Sequence, residues 1–478
     1  MAIRRRAIAI AAAIFGLGIA NPATTAFGAD STPAVNPSPT TQPAESTDAQ
    51  LRELRAQVQQ LVANQKVLEQ QLAQATTRPV PIDLAIVQAA EAQTAAAVRA
   101  DADRRSQLFD MTGETAGYDR DRGFYVSSGD GEFLIHPFVL LQVRNVTESR
   151  VGAKSDGTND TQNGFEIRRF QLGADGNVFT PDLTCRFFVQ SSRETGEVTL
   201  FDAWVRYRLD HGPWSIEAGQ FKAPLDHEQL ISDKTQLAAD RTYTDDILAK
   251  GEAFSEGVMA LYDDNGGPLH AKVDFTNGYG VNDVNYEDFP ARTANFGLGG
   301  RAEYKVFGKW RDYDQFTASE AKEALLVFGA GLDWTESGGS DAIRHVVDAQ
   351  WDVDHVSLYG AYLGMYTTNN PAEPALPDTY DASFRAQFAY AIPDSKIEPF
   401  LRYDYLHLDA GEFGSGTRTT VHEITGGANY YFYGQNARFT LDVSYLPNGA
   451  PENDSGNGIL ANNGKAEWVE RGQLQFAL

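Results

Sequence analysis

The chain has 478 residues, of which 22% are charged and 11% aromatic, and 40 Lys and Arg stand against 65 Asp and Glu for a formal net charge of −25. So acidic a balance argues against general nucleic-acid binding, because a phosphate backbone repels it. The single cysteine, Cys185, excludes an intrachain disulfide framework and a thiolate metal site.

In chain order, Arg4, Arg5 and Arg6 precede an apolar run from Ala7 to Ile19, and small residues follow around Ala26 and Gly28. This pattern predicts a secretory signal peptide over residues 1–28, cleaved before Phe27 or Ala29. The run falls short of the roughly 20 apolar residues of a spanning helix, and no later stretch reaches that length. An exported chain of this kind is either soluble or a β-barrel, since only helices and closed barrels satisfy their backbone inside a membrane.

Residues 29–47 are rich in Pro, Ser and Thr and predict a flexible, extended linker. A heptad follows within 48–77: Leu51, Val58, Gln65 and Leu72 take the a positions and Leu54, Leu61, Leu68 and Ala75 the d positions. A strict seven-residue repeat predicts a coiled coil, with 51–75 pairing between chains and Gln65 setting register; the alternative is one amphipathic helix lying on its own barrel. Residues 78–117 begin at a proline break and continue Ala-rich and charged, which predicts a looser helical linker.

From 118 to 478 short alternating apolar–polar runs recur between turn-rich or acidic loops. The last shows the pattern well: Trp468, Leu474, Phe476 and Leu478 share one face, and Arg471, Gln473 and Gln475 the other. Sixteen strands are expected, near 132–146, 165–178, 183–190, 199–209, 214–221, 257–262, 269–277, 295–304, 325–334, 343–352, 355–366, 379–390, 396–406, 421–432, 437–446 and 466–478. Connections alternate between tight turns, such as Asp210-His211-Gly212-Pro213, and longer loops, such as 147–164, 222–256 and 447–465. The fold expected is an all-β transmembrane barrel of about 16 antiparallel strands, with short turns and both termini in the periplasm and long loops outside. Lys305 to Ala324 is too long for a short turn, and Thr335 to Ala342 is short for an outer loop.

Several segments carry a family pattern. They are Gly123-Phe124-Tyr125-Val126 with Gly129-Asp130-Gly131-Glu132-Phe133, Gly164-Phe165-Glu166-Ile167-Arg168-Arg169, Phe201-Asp202-Ala203-Trp204-Val205-Arg206-Tyr207, Gly219-Gln220-Phe221-Lys222-Ala223-Pro224 and Gly426-Gly427-Ala428-Asn429-Tyr430-Tyr431. In these the chain resembles the phosphate-selective porin O and P family of outer-membrane channels. The resemblance implies a sixteen-stranded homotrimeric diffusion channel in the outer membrane of a Gram-negative-type envelope, some members of which select phosphate. Such members carry a basic cluster after the fifth strand, which this chain matches at Lys222 and otherwise fills with acid.

Alternation by itself assigns the faces. Ile135, Val139, Leu141 and Val143 face lipid, so His136, Gln142 and Arg144 face the lumen; by the same rule Arg169, Gln171, Arg186, Gln190, Asp202, Arg206 and Arg208 point inward. Arg144, Arg169, Arg186, Asp202, Arg206, Arg208 and Lys222 are the expected pore-lining set, because fixed guanidinium and ammonium charges attract anions. The bland reading of each arginine is a brace paired with a lumen carboxylate such as Asp202 or Glu217. The segment after Lys222 is long enough to fold back as a constriction loop, with His227, Lys234, Arg241 and Lys250 among its own acids.

Enzyme patterns are thin: there is no HExxH pair, GxSxG elbow or phosphate loop, and Asp263-Asp264-Asn265-Gly266-Gly267 reads as a turn rather than a calcium loop. The expectation is a non-enzyme without cofactor or metal, whose partners are further copies of itself, outer-membrane lipid and small solutes, phosphate included. Two other readings stand beside it. One is a plugged barrel whose helical arm tethers the membrane to the cell wall or serves as an adhesin, and the other is a secreted soluble β-rich binding protein or carbohydrate enzyme.

Overall fold

The computed structural model describes residues 115–119 and 123–478, apart from positions 265, 283, 286, 288–293, 295, 319–322, 338, 369–376, 410–418, 455 and 463, and also Gln60, Ala63 and Lys66. The expected signal peptide, linker and coiled coil, and residues 78–114, otherwise lie outside the described residues. Gly117 and the two residues before it, assigned by sequence to the helical linker, instead open a strand.

Eighteen strands are described: β1 Thr115–Asp119, β2 Gly123–Ser127, β3 Leu134–Arg150, β4 Asp160–Asn177, β5 Leu183–Ser191, β6 Val198–Arg208, β7 Trp214–Lys222, β8 Phe254–Asp263, β9 Leu269–Thr276, β10 Phe296–Phe307, β11 Leu325–Ser337, β12 Ser340–Val353, β13 Val356–Thr367, β14 Thr379–Tyr390, β15 Ile397–His407, β16 Thr420–Tyr433, β17 Ala437–Leu446 and β18 Glu467–Ala477. From β3 onward each pairs antiparallel with the next, and β18 returns to β3 with Gln473 opposite Arg144 and Leu474 opposite Val143. The result is a closed barrel of sixteen strands. All sixteen expected strands are present. The β1–β2 hairpin, which alternation did not reveal, extends the sheet beside the start of β3 through Val126 opposite Ile135.

Side chains sort as a bilayer requires. Leu172, Ile216, Val273, Leu332, Val347, Leu401, Leu441 and Leu474 are exposed on the outer face, whereas Arg144, Arg385, Arg402, Arg438 and Arg471 are among the largest fully buried side chains. That is the reverse of a water-soluble protein, in which charged groups are rarely buried. No described helix is long and apolar enough to cross a membrane.

The structure departs from the expectation at several ends. β3 runs on to Arg150 and β4 starts already at Asp160, past the expected ends at 146 and 165, so their loop shrinks to 151–159. Strands β11 and β12 run on to Ser337 and Ser340, and the expected loop at 335–342 is a tight hairpin with Gly339 at φ 92°. Lys305 to Ala324 is not a plain turn: β10 continues to Phe307, and a short helix, Trp310–Tyr313, follows. The 210–213 turn forms as expected, with Asp210 and His211 both in the left-handed region at φ 49° and 55°.

Two bulges matter for the interior. At Gln142/Val143 the register of β3 skips Arg168 of β4, and at Phe188/Val189 that of β5 skips Phe201 of β6. An extra residue on one strand resets its alternation, so adjacent side chains can share a face. We expect Leu441→Arg, in the middle of the outer face of β17, to weaken folding into lipid bilayers by about 2–4 kcal/mol, measured by denaturant titration of reconstituted protein.

Candidate functional site

Pro224 stands two residues past the end of β7 and cannot donate to a sheet ladder, and residues 223–253 turn into the barrel. Two short helices form within this loop, α1 His227–Leu230 and α2 Tyr243–Leu248, the second capped by Thr242, whose hydroxyl accepts from the Asp245 amide at 3.2 Å. Most of the loop is buried, so its backbone and its charges need partners from the wall.

The wall supplies them on one side. Asp240 meets three arginines of the first two barrel strands: Arg144, Arg168 at 3.0 Å and Arg169 at 3.0 Å. Asp233 pairs with Arg169 at 3.3 Å and with Arg241 of its own loop at 2.7 Å. From β14, Arg385 donates to Asp226 at 2.7 and 2.9 Å and to Glu228 at 2.6 Å. Arg402 donates to the Asp240 carbonyl at 2.7 Å. In the opposite sense Asp442, Glu423 and Asp404 accept from the amides of Ala239, Tyr243 and Thr244 at 2.8, 3.0 and 2.9 Å. Apolar packing completes the seat, with Tyr243 and Leu248 against Leu363, Leu406, Val421 and Val469.

Burial would raise the Asp240 carboxyl, but Arg168, Arg169 and Arg144 outweigh it and hold it well below the usual carboxylate range. Asp245 goes the other way: burial, with Glu228 and Asp226 beside it, pushes it well above. Asp226, Glu228 and Asp245 lie close enough together to suggest a cation site. Arg385 already fills that position with its guanidinium.

A second segment enters from the end where β3 starts and β18 finishes. In the connection after β10, α3 Trp310–Tyr313 lays Trp310 on His270, centroids 3.6 Å apart, and Tyr313 on His227 of the loop at 3.8 Å and 8°. The Phe316 amide donates to the Thr235 carbonyl at 3.3 Å, and the Thr235 hydroxyl donates to the Asp314 carbonyl at 3.0 Å. The loop and this turn therefore meet inside the barrel, from opposite ends.

What they leave open is a cavity of about 550 Å3 against the short strands β5 to β9. Arg186, Asp202, Arg206, Lys222 and His227, five of the residues singled out from sequence, border it. Arg186 pairs with Asp202 at 3.0 Å and Arg206 with Glu217 at 2.6 Å. Lys222 donates to the carbonyls of Gln229 and Ile231 at 2.8 and 3.4 Å. The other singled-out residues lie elsewhere. Arg144, Arg169 and Arg241 hold the loop; Arg208 is half exposed, 3.9 Å from Asp182; the Lys234 carbonyl accepts from Gln475 at 3.0 Å; Lys250 donates to the Tyr279 carbonyl at 2.9 Å.

Sequence reasoning missed four contributors. Lys272 on β9 borders the cavity with no ion-pair or hydrogen-bond partner among the described residues, and alternation applied to β9 would have found it. Arg168 reaches Asp240 only because of the bulge. Trp310 and Tyr313 carry no sequence signal at all.

The family model for the phosphate-selective porins O and P matches residues 148–297. That stretch runs from the end of β3 to the start of β10, and holds most of the segments in which the porin O and P resemblance was read. Comparison with curated protein sequences yields no match. Among solved structures, an anion-selective porin from Comamonas acidovorans is similar with a TM-score of 0.50 at 12% identity, over 72% of this chain and 99% of that one. The outer membrane channel DcaP of Acinetobacter baumannii is similar at 0.48 and 12%, over 73% and 99%. The first likeness shows the porin fold.

Removing the Asp240 charge takes from Arg168 its ion-pair partner and from Arg144 and Arg169 one of theirs. We expect Asp240→Asn to cost about 3–5 kcal/mol of stability near neutral pH. A carboxylate with a depressed folded pKa stabilises above its unfolded value and loses that contribution as pH falls. The melting difference between Asp240→Asn and wild type should therefore shrink below about pH 4, which differential scanning calorimetry across pH measures.

Proposed function

We propose that the chain is an outer-membrane porin, a passive diffusion channel through which small hydrophilic solutes cross along the β5–β9 side of the barrel. The observation that supports it is the one-sided seat of the loop: Asp240 is held by β3 and β4 and Asp226 and Glu228 by β14, and a cavity remains on the β5–β9 side. The transport path then runs past Arg186, Arg206, Lys222 and Lys272, facing Asp233 and Glu252 of the loop and Asp314 of the inserted turn. Small anions, phosphate among them, are favoured at Lys222 and Lys272, whose ammonium groups have no ion-pair partner within the lumen. The preference is weak, because carboxylates outnumber Lys and Arg around the same cavity. The chain assembles as a homotrimer through the heptad at 51–75 and barrel contacts, loses residues 1–28 on export, and keeps its arm and C-terminus in the periplasm.

A second reading, a plugged barrel serving as a tether or adhesin, is favoured by the meeting of loop and turn at His227 and Tyr313. Planar-bilayer recordings separate the two, since the channel gives discrete conductance steps and the plug none. In a salt gradient, Lys222→Glu with Lys272→Glu should move the reversal potential toward cation preference, and an unchanged potential removes both lysines from the path.

Asp314 faces lumen water but is enclosed by protein, and that burial raises its carboxyl to about 6. Its charge is present above that value and lost below it, so anion preference should rise between pH 7 and pH 5. Asp314→Asn should flatten this rise.

A further inference from the structure

We propose that Asp274 and Asp333 hold a hard divalent cation of the calcium class, between strands β9 and β11 on the inner wall of the barrel. This goes beyond the channel reading and does not depend on it.

The register sets the two carboxylates on either side of a residue that has no side chain. Gly299 of β10 lies opposite Asp274 of β9 and opposite Asp333 of β11. Neighbouring strands stand about 4.8 Å apart, so an ordinary inward side chain on β10 would fill the space between the two acids. Glycine leaves that space to them. At the point where a Cβ would stand, the nearest atoms are Asp274 Oδ1 at 2.5 Å, the Asp274 Cγ at 3.3 Å and Asp333 Oδ2 at 3.4 Å. Both aspartates are only 3% exposed, whereas Gly299, at an inward position, is half-buried, so the gap between them opens to lumen water.

A second observation points to a ligand. Asp274 Oδ1 is buried, faces the gap and has no hydrogen-bond partner, and Asp274 forms no ion pair among the described residues. Asp333 uses its other oxygen, Oδ1, to accept from the Thr335 hydroxyl at 2.9 Å and to pair with Arg344 at 3.4 Å. The cations nearby are engaged elsewhere. Arg344 Nε donates to the Leu248 carbonyl at 3.1 Å, Lys250 donates to the Tyr279 carbonyl at 2.9 Å, and Lys272, one inward position along β9, borders the cavity. Two like charges held over one point in a poorly hydrated wall repel each other, and a positive charge between them removes that cost.

Comparable positions show a side chain supplying such a charge. On the next strand Gly329 leaves a gap beside Asp348, and Arg301 fills it, donating to Asp348 at 2.7 and 2.9 Å. At Asp226 and Glu228 the guanidinium of Arg385 does the same. Over Gly299, no described arginine or lysine stands nearer than the two carboxylates.

The donor set selects the ion. Carboxylate oxygens without nitrogen or sulfur donors suit hard cations rather than zinc or copper. Calcium takes oxygens at about 2.3–2.6 Å in irregular arrangements, and water from the lumen can complete its shell. With two protein carboxylates the affinity belongs to the weak class, about 10⁻⁴–10⁻³ M. The bound ion ties β9 to β11 across β10 and cancels two negative charges on the wall.

Calorimetric titration of calcium chloride into purified full-length protein, stripped with EDTA and dialysed at neutral pH, tests this. Heat-modifiable migration on gels checks that each variant barrel folds. Asp274→Asn removes one ligand charge at nearly constant shape, and Gly299→Ala keeps both charges but puts a methyl group into the gap. Each should weaken the tightest calcium site roughly tenfold or more. Glu194→Gln, which removes an exposed acid between β5 and β6, should leave it unchanged. A wild type without a millimolar calcium site overturns the proposal, as does an Asp274→Asn titration that matches wild type. So does loss in Asp274→Asn with full binding in Gly299→Ala, because calcium would then answer to charge alone and not to the gap. If Gly299→Ala does not fold, Asp333→Asn takes its place, and wild-type binding there overturns the proposal in the same way.

Discussion

Hydrocarbon cannot hydrogen-bond, and the architecture follows from that constraint. A sheet inside it has to close so that no strand edge is left over, and here β18 returns to β3 with a continuous register from Glu467 to Ala477. Closure divides every strand into an oily face and a wet one. The interior then collects what the exterior rejects, and fully buried arginines such as Arg385, Arg402 and Arg471 take the place that leucines hold in a soluble core.

Those arginines would repel one another and lose hydration without counter-charge; Arg402 and Arg471 find it on the wall in Glu423 and Asp442, and Arg385 finds it in the inserted loop. Asp226, Glu228, Asp233 and Asp240 pair with Arg385, Arg241 and the three arginines inside β3 and β4. Part of the acidic surplus of this loop is thereby withdrawn from the lumen, while Asp233 and Glu252 still border the cavity. The side that faces water at β5 to β9 carries its own, partly compensated charges. The cavity borders strands of 8 to 11 residues, β5 to β9, and Asp240 of the loop is held by the two longest, β3 and β4, at 17 and 18.

Much of the fold was readable, because a period of two survives any packing detail. Each expected strand is found, and the faces of Gln142, Arg144, Arg169 and Asp202 follow from alternation. The rule fails where the chain breaks it. Arg168 looks outward by counting and is turned inward by a bulge, a local backbone event with no marker in residue type. Trp310 and Tyr313 look like part of an overlong turn, and their stacking on His270 and His227 depends on residues 40 and 86 positions away, so no local pattern carries it.

The sequence by itself determined the class of object: segments alternating between lipid and water, too short and too polar for helices, and long enough in number to close. It also determined which side chains would meet water, since that follows from parity along a strand. Only the tertiary structure decided which of those inward charges remain available. Whether an arginine braces a loop or borders open lumen depends on which carboxylate folds against it. Asp240 and Arg144 are 96 positions apart, and it is barrel closure and the path of one loop that bring them together.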